Sequence, residues 1–305
     1  MTRFLIVRLL STVVSAWLIV TVVFFLARIT GDPVALLVPD NATPAEVQAF
    51  KERLGLDRSM AEQYVLFLGR SVTGDLGQSI RHVQPALQAV ATYMPATIQL
   101  AFASLVLAVV GGLALGIVAA SRPGSFVDSF AMTLALIGQS VPVYWQGLML
   151  IMIFGLQLQW LPISGRGGWE HLILPAVTLG TTQMAVFARL TRAGMLEQLS
   201  QDFIRTARSR GLSELRVTLR HALPNAAIPL VTQAGLTLGG LLAGSVITET
   251  IFAWPGVGRF ALQAVYNRDF PVVQATVFLV SMVFLAINFL VDLLYTVIDP
   301  RTTVA

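Results

Sequence analysis

The residue types that carry most enzyme chemistry are scarce in this chain of 305 residues. It contains no cysteine, a single lysine, Lys51, and three histidines, His82, His171 and His221, which lie far apart in the sequence. Metal sites draw on closely spaced Cys and His ligands, and a Walker A loop sets a lysine after glycine, whereas Lys51 follows Phe50. We therefore expect no resident metal, cofactor or nucleotide, and no enzymatic activity, in the chain itself.

Ionisable residues beside apolar runs are the remaining chemical candidates. Glu249, Asp292, Arg189 and Arg192 each lie near the end of such a run, where a long side chain can reach the aqueous interface. We interpret them as interfacial anchors or structural ion pairs rather than as parts of a transport path. A proton-coupled carrier would need an acid or a histidine near the middle of the membrane, and the sequence places none there.

Composition indicates which elements must hold these residues. Apolar residues make up 55% of the chain and charged residues 12%, and the mean hydropathy is +0.75. Soluble domains carry about 25% charge, and a membrane-spanning helix needs about 17–25 apolar residues. We predict an all-α, polytopic membrane protein with six transmembrane helices. The charge-free runs are 9–27, 96–121, 129–165 (apolar to about Trp160), 172–188, 221–248 and 270–291.

The distribution of arginine sets the orientation. Segment 189–220 holds seven arginines, and short loops rich in Arg and Lys stay in the cytoplasm. We therefore place both termini in the cytoplasm. The net charge of +4 then concerns orientation and anionic lipid, not nucleic acid. The predicted organisation is an anchor helix over 1–29, an external segment over 30–95, a membrane domain over 96–299 with five helices, and a tail over 300–305.

The external segment 30–95 is the one sizeable part outside the membrane. Thr43, Pro44 and Glu46 stand in the order of an N-cap, a first helical residue and an N3 acid, so we predict a helix from there to about Leu54. A segment of about 65 residues with few large apolar groups buries little core alone. We expect it to lean on the membrane domain and cap it.

The cytoplasmic stretch 197–224 is the most informative part of the sequence. We predict two short helices separated at Gly211, which suits a helix stop with positive φ. Ser213 and Glu214 suit the start of the second helix, and Pro224 is expected to end or kink it at the membrane. An ordinary positive-inside loop would explain the arginines but requires neither the glycine break nor the paired helices. The apolar residues that share one face of the first helix are Phe203, Ile204 and Ala207.

This stretch resembles the EAA loop of ABC importer permeases, whose pattern is Glu-Ala-Ala, three residues, Gly, nine residues and Ile-x-Leu-Pro. Arg205-Thr206-Ala207 stands in the Glu-Ala-Ala place, Gly211 follows after three residues, and His221-Ala222-Leu223-Pro224 after nine more. The third alanine, the glycine and Leu-Pro match, whereas the first two positions and the isoleucine do not. Arg-Thr-Ala at that place is common in the dipeptide/oligopeptide branch, so the departure narrows the resemblance to that branch.

Other stretches resemble the same branch, and together they cover essentially the whole chain. They are Thr-Gly-Asp-Leu-Gly-Gln-Ser at 73–79, Met-Pro-Ala-Thr-Ile-Gln-Leu at 94–100, Glu-Thr-Ile-Phe-Ala-Trp-Pro-Gly-Val-Gly-Arg at 249–259, Asp-Leu-Leu-Tyr at 292–295 and Asp-Pro-Arg at 299–301. The chain is similar to the permease that carries the large external segment.

The resemblance implies a MetI-like all-α membrane domain in a bacterial inner membrane. It implies a permease that forms half of a pore for peptides or a related small solute. The implied partners are a second related permease, two ABC ATPase subunits that bind ATP and magnesium, a periplasmic solute-binding protein and the lipid bilayer, with no nucleic acid. Family members carry dipeptides, oligopeptides, nickel, glutathione, opines or sugars, and the chain does not indicate which of these applies.

The resemblance also implies three sets of site residues. The ATPase-coupling loop is Phe203, Ile204, Arg205, Thr206, Ala207, Gly211, Leu212, Leu223 and Pro224, in which Phe203, Ile204 and Leu212 would supply apolar contact with an ATPase. The outer gate is Gly74, Asp75, Leu76, Gly77, Trp254, Pro255 and Gly256. The permease–permease seam is Gly235, Gly239, Gly240 and Gly244, which form small-x-x-x-small pairs.

Simpler interpretations and other classes remain open for these residues. Trp254 could be an aromatic-belt anchor at the membrane interface, and glycine is common in any membrane helix. The chain could be a secondary carrier or channel subunit, which the missing mid-membrane acids and the EAA-like loop oppose. It could instead be a structural scaffold without a transport path. Polar residues within the predicted spans weigh against the scaffold, namely Gln139, Gln146, Gln233 and Asn288.

Overall fold

The computed structural model describes residues 2–29 and 57–298, together with positions 43, 45, 48 and 52. Within these residues the regular secondary structure is helical, apart from one isolated antiparallel bridge between Gln78 and Pro85. The predicted all-α class is confirmed. Most of the helix predicted for 43–54, and the whole tail 300–305, lie outside the described residues.

Thirteen helices and two π-helical segments make up the described chain. The helices are α1 (Thr2–Ile29), α2 (Met60–Val72), α3 (Ala86–Ser121), α4 (Phe126–Ser140), α5 (Val143–Leu150), α6 (Glu170–Leu199), α7 (Asp202–Ser209), α8 (Glu214–Arg216), α9 (Leu223–Ala226), α10 (Ile228–Gly244), α11 (Val246–Ile251), α12 (Val257–Tyr266) and α13 (Phe270–Ile298). The π-helical segment Ile151–Gln157 continues α5, and Val217–Ala222 joins α8 to α9.

Four of these helices are long and apolar enough to cross a membrane. Two pairs of helices, each bent at a short break, could supply two further spans. The four candidate spans are Ile6–Phe25, Ala86–Ser121, Glu170–Leu199 and Phe270–Leu293. The chain bends by 100° between Phe126–Ser140 and Val143–Gln157, and by 60° between Glu214–Ala226 and Pro229–Gly244. The predicted count of six therefore agrees with the described residues only when each bent pair counts as one span.

Both bends lie beside a proline. Val141 is extended, with ψ of 129°, because the residue before a proline is disfavoured in the helical region, and Pro142 follows it. Pro229 follows the second bend and has no amide hydrogen to continue a hydrogen-bond ladder. The runs 129–165 and 221–248, each counted as one helix from the sequence, are therefore interrupted, and a bent pair of helices stands in place of each.

The described residues divide into two compact units, Met1–Pro95 with Gly256–Phe289 and Ala96–Pro255 with Leu290–Ala305. In the first unit, α1 packs on α2 through Phe24, whose ring lies edge-on to Tyr64 with 5.2 Å between centroids. The Tyr64 hydroxyl also pairs with that of Thr21 at 2.7 Å. Helix α2 begins with a capping box, in which the Ser59 hydroxyl and backbone N–H hold the pKa of Glu62 below its usual range. The core of this unit contains Leu76, Ala86, Ala89, Val90, Met94, Val257, Phe260, Ala264, Val272 and Ala275.

The second unit is organised around α6, which packs against α4, α5, α9, α10 and α11. Glycines bring α3 close to the same helix. A Cβ on Gly116 would lie 2.7 Å from the Ala188 carbonyl oxygen, and one on Gly180 would lie 2.8 Å from that of Ser104. Helix α6 is therefore the common support of the helices of the second unit.

Candidate functional site

The cytoplasmic stretch predicted over 197–224 corresponds in the structure to the helices of residues 202–226, which we call the bracket. Its first helix ends as the sequence indicated. Helix α7 stops at Ser209, and Gly211 has φ of +76° with its N–H donating to the Arg208 carbonyl at 2.9 Å. This is the left-handed conformation that glycine adopts without strain. The predicted break at Gly211 is confirmed.

The start of the second helix is held differently from the prediction. Ser213 occupies the N-cap position of α8 but makes no side-chain capping bond. Glu214 instead accepts two hydrogen bonds from the Arg208 guanidinium, at 2.8 and 3.1 Å, which raises the pKa of Arg208. Pro224 is expected from the sequence to end or kink this helix, but it lies inside the first turn of α9, and the chain bends only after Ala226. The ion pair of Arg208 and Glu214 therefore connects the two helices on either side of the break at Gly211.

The inner face of the bracket is anchored in the chain's own core. Ile204 has 0% exposure and Ala207 has 6%. Leu212 and Leu223 pack partly buried against the same core. The predicted contact of Ile204 with an ATPase is therefore wrong, because the chain's own core covers this side chain completely. For Leu212, which is only partly buried, the contact stays a prediction. The buried residues of this cluster are Ala120, Met195, Ile204, Ala207, Val217, Ala222 and Ala226.

The outer face of the bracket keeps one of the predicted apolar residues and adds two that the sequence interpretation missed. Phe203 is 42% exposed, whereas Leu215 and Leu219 are 71% and 46% exposed. Arg205 and Thr206 are exposed beside Phe203. The spacing of Leu215 and Leu219, four residues apart on a helix, could have identified them as a shared face.

Trp254 lies inside the second unit rather than at its surface. Its side chain is 1% exposed, and the indole N–H donates to the Ala96 carbonyl at 2.8 Å. The Arg166 guanidinium lies 5.9 Å from the ring centroid and donates to Gln99 Oε1 at 2.8 Å. The aromatic-belt interpretation is wrong, because a belt residue presents its ring to the interface. Trp254 fixes the turn after α11 onto the start of the second unit's α3 segment.

Glu249 is also buried, against the prediction of an interfacial anchor. It has 0% exposure, and its Oε1 accepts hydrogen bonds from the Thr97 hydroxyl at 2.7 Å and the Ser245 hydroxyl at 2.8 Å. The Glu249 backbone carbonyl accepts a hydrogen bond from the backbone N–H of Trp254 at 2.8 Å. The residue therefore connects α11, the turn at Trp254 and α3 within the second unit.

The other half of the predicted outer gate lies in the first unit. Gly74 and Gly77 have φ of +79° and +89°, and Asp75 accepts the Gly77 N–H at 3.1 Å. Leu76 is buried in that unit's core, and Gly256 is the N-cap residue of α12. Trp254 and Pro255 belong to the second unit, so the structure describes the gate residues in two separate groups.

Of the two arginines at the inner end of α6, Arg192 forms the structural ion pair that one sequence interpretation proposed, whereas Arg189 bonds to a neutral amide. Arg192 donates two hydrogen bonds to the Asp128 carboxylate, both at 2.7 Å, and Asp128 also accepts the Gly124 N–H at 3.0 Å. Arg189 donates to Gln139 Oε1 at 3.1 Å. The Asp128 pair ties the start of α4 to α6.

The four seam glycines have different surroundings. A Cβ on Gly235 would overlap the side chain of Val291 in the same chain, and Gly239 is buried. These two are covered within the chain, so their assignment to a seam with a second subunit is wrong. A Cβ built on Gly240 or Gly244 would have, among the described residues, no heavy atom within 4 Å beyond its chain neighbours and its own helix backbone. For these two the seam stays a prediction.

Gly240 and Gly244 face a cavity of about 350 Å³ within the second unit. Its wall combines the first residue of α5, one face of α6 and one face of α10. Four of its side chains are polar and uncharged, and two of these are glutamines. The lining residues are Val143, Leu179, Thr182, Gln183, Gln233, Leu236, Thr237, Gly240, Leu241 and Gly244. Among the described residues, no group of three or more His, Asp or Glu side chains could hold a metal ion.

A helical membrane domain with broken spans, a polar cavity and a rigid, basic bracket defines the class of integral membrane transport subunits. The family model described as "Binding-protein-dependent transport system inner membrane component" matches residues 112–304, and its N-terminal companion matches residues 1–101. The chain belongs to this family. It is therefore a permease subunit of a binding-protein-dependent ABC importer in the inner membrane, and a transport component rather than an enzyme.

Named relatives agree with this assignment. The chain is 40% identical to the "Di/tripeptide transport system permease protein DppB" of Pseudomonas aeruginosa (strain UCBPP-PA14), over 97% of each chain. It is also 40% identical to the "Glutathione transport system permease protein GsiC" of Escherichia coli (strain K12), over 98% of each. Among solved structures, an inward-facing MetNI methionine ABC transporter chain shares the fold, with a TM-score of 0.57 and 20% identity over 69% of this chain and 96% of that one. The carrier and scaffold alternatives are thereby excluded.

Proposed function

We propose that α7 is the element through which this permease receives the motion of an ATPase subunit. The observation that carries the proposal is that α7 is buried on one face and exposed on the other. Ile204 and Ala207 fix its inner face in the membrane domain, while Phe203, Arg205 and Thr206 stay exposed on its outer face. A short helix held firmly on one side and exposed on the other can transmit a displacement applied to it. The contact surface is then Phe203 with Leu215 and Leu219.

We propose that the working complex contains a second, related permease, two ABC ATPase subunits and one periplasmic solute-binding protein. Family membership supports ATPase and binding-protein partners. ATP and magnesium would bind to the ATPase subunits, because Lys51 lies outside any Walker A pattern. The seven arginines of 189–220 support a cytoplasmic bracket, and with it cytoplasmic N- and C-termini.

We propose that the solute is a peptide or a related small molecule with peptide bonds. Two relatives of equal identity support this class, because one is named for di- and tripeptides and the other for glutathione, a tripeptide-like thiol. The loop 249–256 and the segment 74–77 would act at the outer gate, where a loaded binding protein arrives. The buried Trp254 and Glu249 support a rigid loop there.

The test of the coupling element is Gly211→Val in the assembled importer. Gly211 has φ of +76° and open space around it, so the substitution adds backbone strain without a steric clash. A β-branched residue in the left-handed region costs about 1–3 kcal/mol. We expect normal membrane insertion, with a fall of about fivefold or more in ATP-driven uptake or in the copurified ATPase.

Gly124→Val is the matched control. Gly124 has φ of +72° and equally open surroundings, but it lies in the turn between α3 and α4. Uptake and ATPase copurification should then stay near the wild-type values. Normal uptake and copurification in Gly211→Val would show that α7 is not the coupling element. Equal losses in both variants would show that strain alone, and not its position, caused the defect.

A further inference from the structure

The cavity of about 350 Å³ lies between membrane-spanning elements of the second unit and is open on one side. Thr182 and Gln183 lie near the middle of the 30-residue helix α6, and Gln233 and Thr237 lie on α10. Polar side chains at membrane depth are costly against lipid and occur mainly where they line a cavity or contact protein. The lining therefore indicates a polar occupant.

The hydrogen-bonding capacity of the wall is only partly used inside the chain. Gln233 Nε2 donates to Thr237 Oγ1 at 3.1 Å, and the Thr182 hydroxyl donates to the Leu179 carbonyl at 2.7 Å. The Gln233 side-chain oxygen and the whole Gln183 amide have no hydrogen-bond partner in the described part of the chain. An amide offers both donors and an acceptor, which is the complement of another amide.

The wall carries no ionisable side chain among the described residues that line it. A path that conducts must bind its cargo well enough to admit it and weakly enough to release it. Neutral hydrogen bonds are weaker than charge-assisted ones and meet that condition. Ligand pockets span roughly 300–1,000 Å³, so a cavity of this size suits a small solute.

We propose that this cavity is a passage site for the transported solute, in which Gln183 and Gln233 hydrogen-bond to its peptide groups. Gly240 and Gly244 keep the space open, because any side chain there would enter the cavity. This inference rests on the proposed peptide class of solute and adds the place and chemistry of contact. It also gives the permease its own selectivity for neutral amide groups, in addition to that of the binding protein.

The test uses the complete importer in vesicles, with its partner permease, ATPases and binding protein. Uptake of radiolabelled dialanine is measured per assembled complex, and glutathione replaces it if the wild type takes up no dialanine. Gly240→Leu fills the cavity and should lower uptake at least about tenfold. ATP hydrolysis stimulated by the loaded binding protein should persist, and the second permease should still copurify. Ala243→Leu is the matched control, since Ala243 is exposed on α10 but does not line the cavity.

A second variant tests the hydrogen bonds without filling space. Gln233→Leu keeps a similar size and should lower dialanine uptake about 2- to 10-fold. It should also reduce the preference for dialanine over its N-methylated form, which lacks the peptide N–H. The wild-type and variant complexes use the same binding protein. A change in the ratio of the two uptake rates is therefore caused by the permease.

Four results would overturn the proposal. Wild-type uptake in Gly240→Leu would show that the solute does not pass through the cavity. Loss of the second permease from that variant would show that the cavity is a subunit seam. An unchanged preference for dialanine over its N-methylated form in Gln233→Leu would show that Gln233 does not hydrogen-bond to the peptide group of the solute. A wild-type importer that takes up neither solute would refute the proposed solute class itself, and this proposal with it.

Discussion

Adjacent residues of α7 should have opposite roles, and two alanine variants separate them. Ile204 is completely buried in the cluster with Met195 and Val217, whereas Phe203 next to it is 42% exposed. Ile204→Ala should release α7 from the membrane domain. Phe203→Ala should leave α7 docked and remove a contact with the ATPase.

The size of the Ile204 effect follows from its burial. Replacing a fully buried isoleucine by alanine costs about 2–5 kcal/mol, because apolar contact is lost and a cavity remains. Helices shorter than about 12 residues are marginal on their own, and α7 has 8 residues. Its docked state therefore depends on this packing. A loss of about 3 kcal/mol lowers the ratio of docked to released α7 by about 150-fold.

Amide hydrogen exchange on the purified importer measures docking directly. In Ile204→Ala, the amides of Asp202–Ser209 should exchange faster, while those of α6 keep their protection. In Phe203→Ala, exchange in α7 of the isolated permease should stay unchanged, and ATPase copurification should fall. Unchanged protection of α7 in Ile204→Ala would refute the anchoring role. Faster exchange in Phe203→Ala would show that Phe203 also belongs to the anchor.

Two further substitutions test packing within the second unit. Trp254→Phe keeps the aromatic ring but removes the N–H bonded to the Ala96 carbonyl, so the thermal unfolding midpoint should fall by the equivalent of about 1 kcal/mol, whereas an unchanged midpoint would contradict the bond. Gly235→Ala should destabilise by about 1–3 kcal/mol, because its Cβ meets Val291, and Val291→Ala should restore stability in the double variant. Failure of that rescue would show that the strain lies elsewhere.

Features set by local chemistry were predictable from the sequence. Gly211 sits after a short amphipathic run, and only a left-handed residue lets the chain turn there, so its positive φ followed from residue type. The bend at Val141 could also have been predicted, because Pro142 interrupts an apolar run too long for one span. Counting uncharged residues concealed this break, since proline carries no charge.

Features set by distant contacts could not be predicted in the same way. Trp254 is buried because Ala96, 158 positions earlier, accepts its indole proton, and no local pattern shows that pairing. Ile204 and Phe203 are both apolar neighbours on a short helix, and only the packed core decides which of them faces inward. The contact of Gly235 with Val291, and the position of Gly240 and Gly244 at the cavity, depend on tertiary structure for the same reason.

The segment between the bracket and the cavity has a mechanical consequence. Along the chain, α8 connects to α10 through the π-helical turn Val217–Ala222 and then a bend of 60°. Wider i→i+5 turns and proline bends are compliant points in a helix, so a push along this path is absorbed as local deformation. Sideways, Ile204 and Ala207 belong to one buried cluster with Met195 of α6, an unbroken helix of 30 residues that also carries Thr182 and Gln183. The stiff route from the cytoplasm to the cavity therefore runs across the packing interface, and not along the backbone.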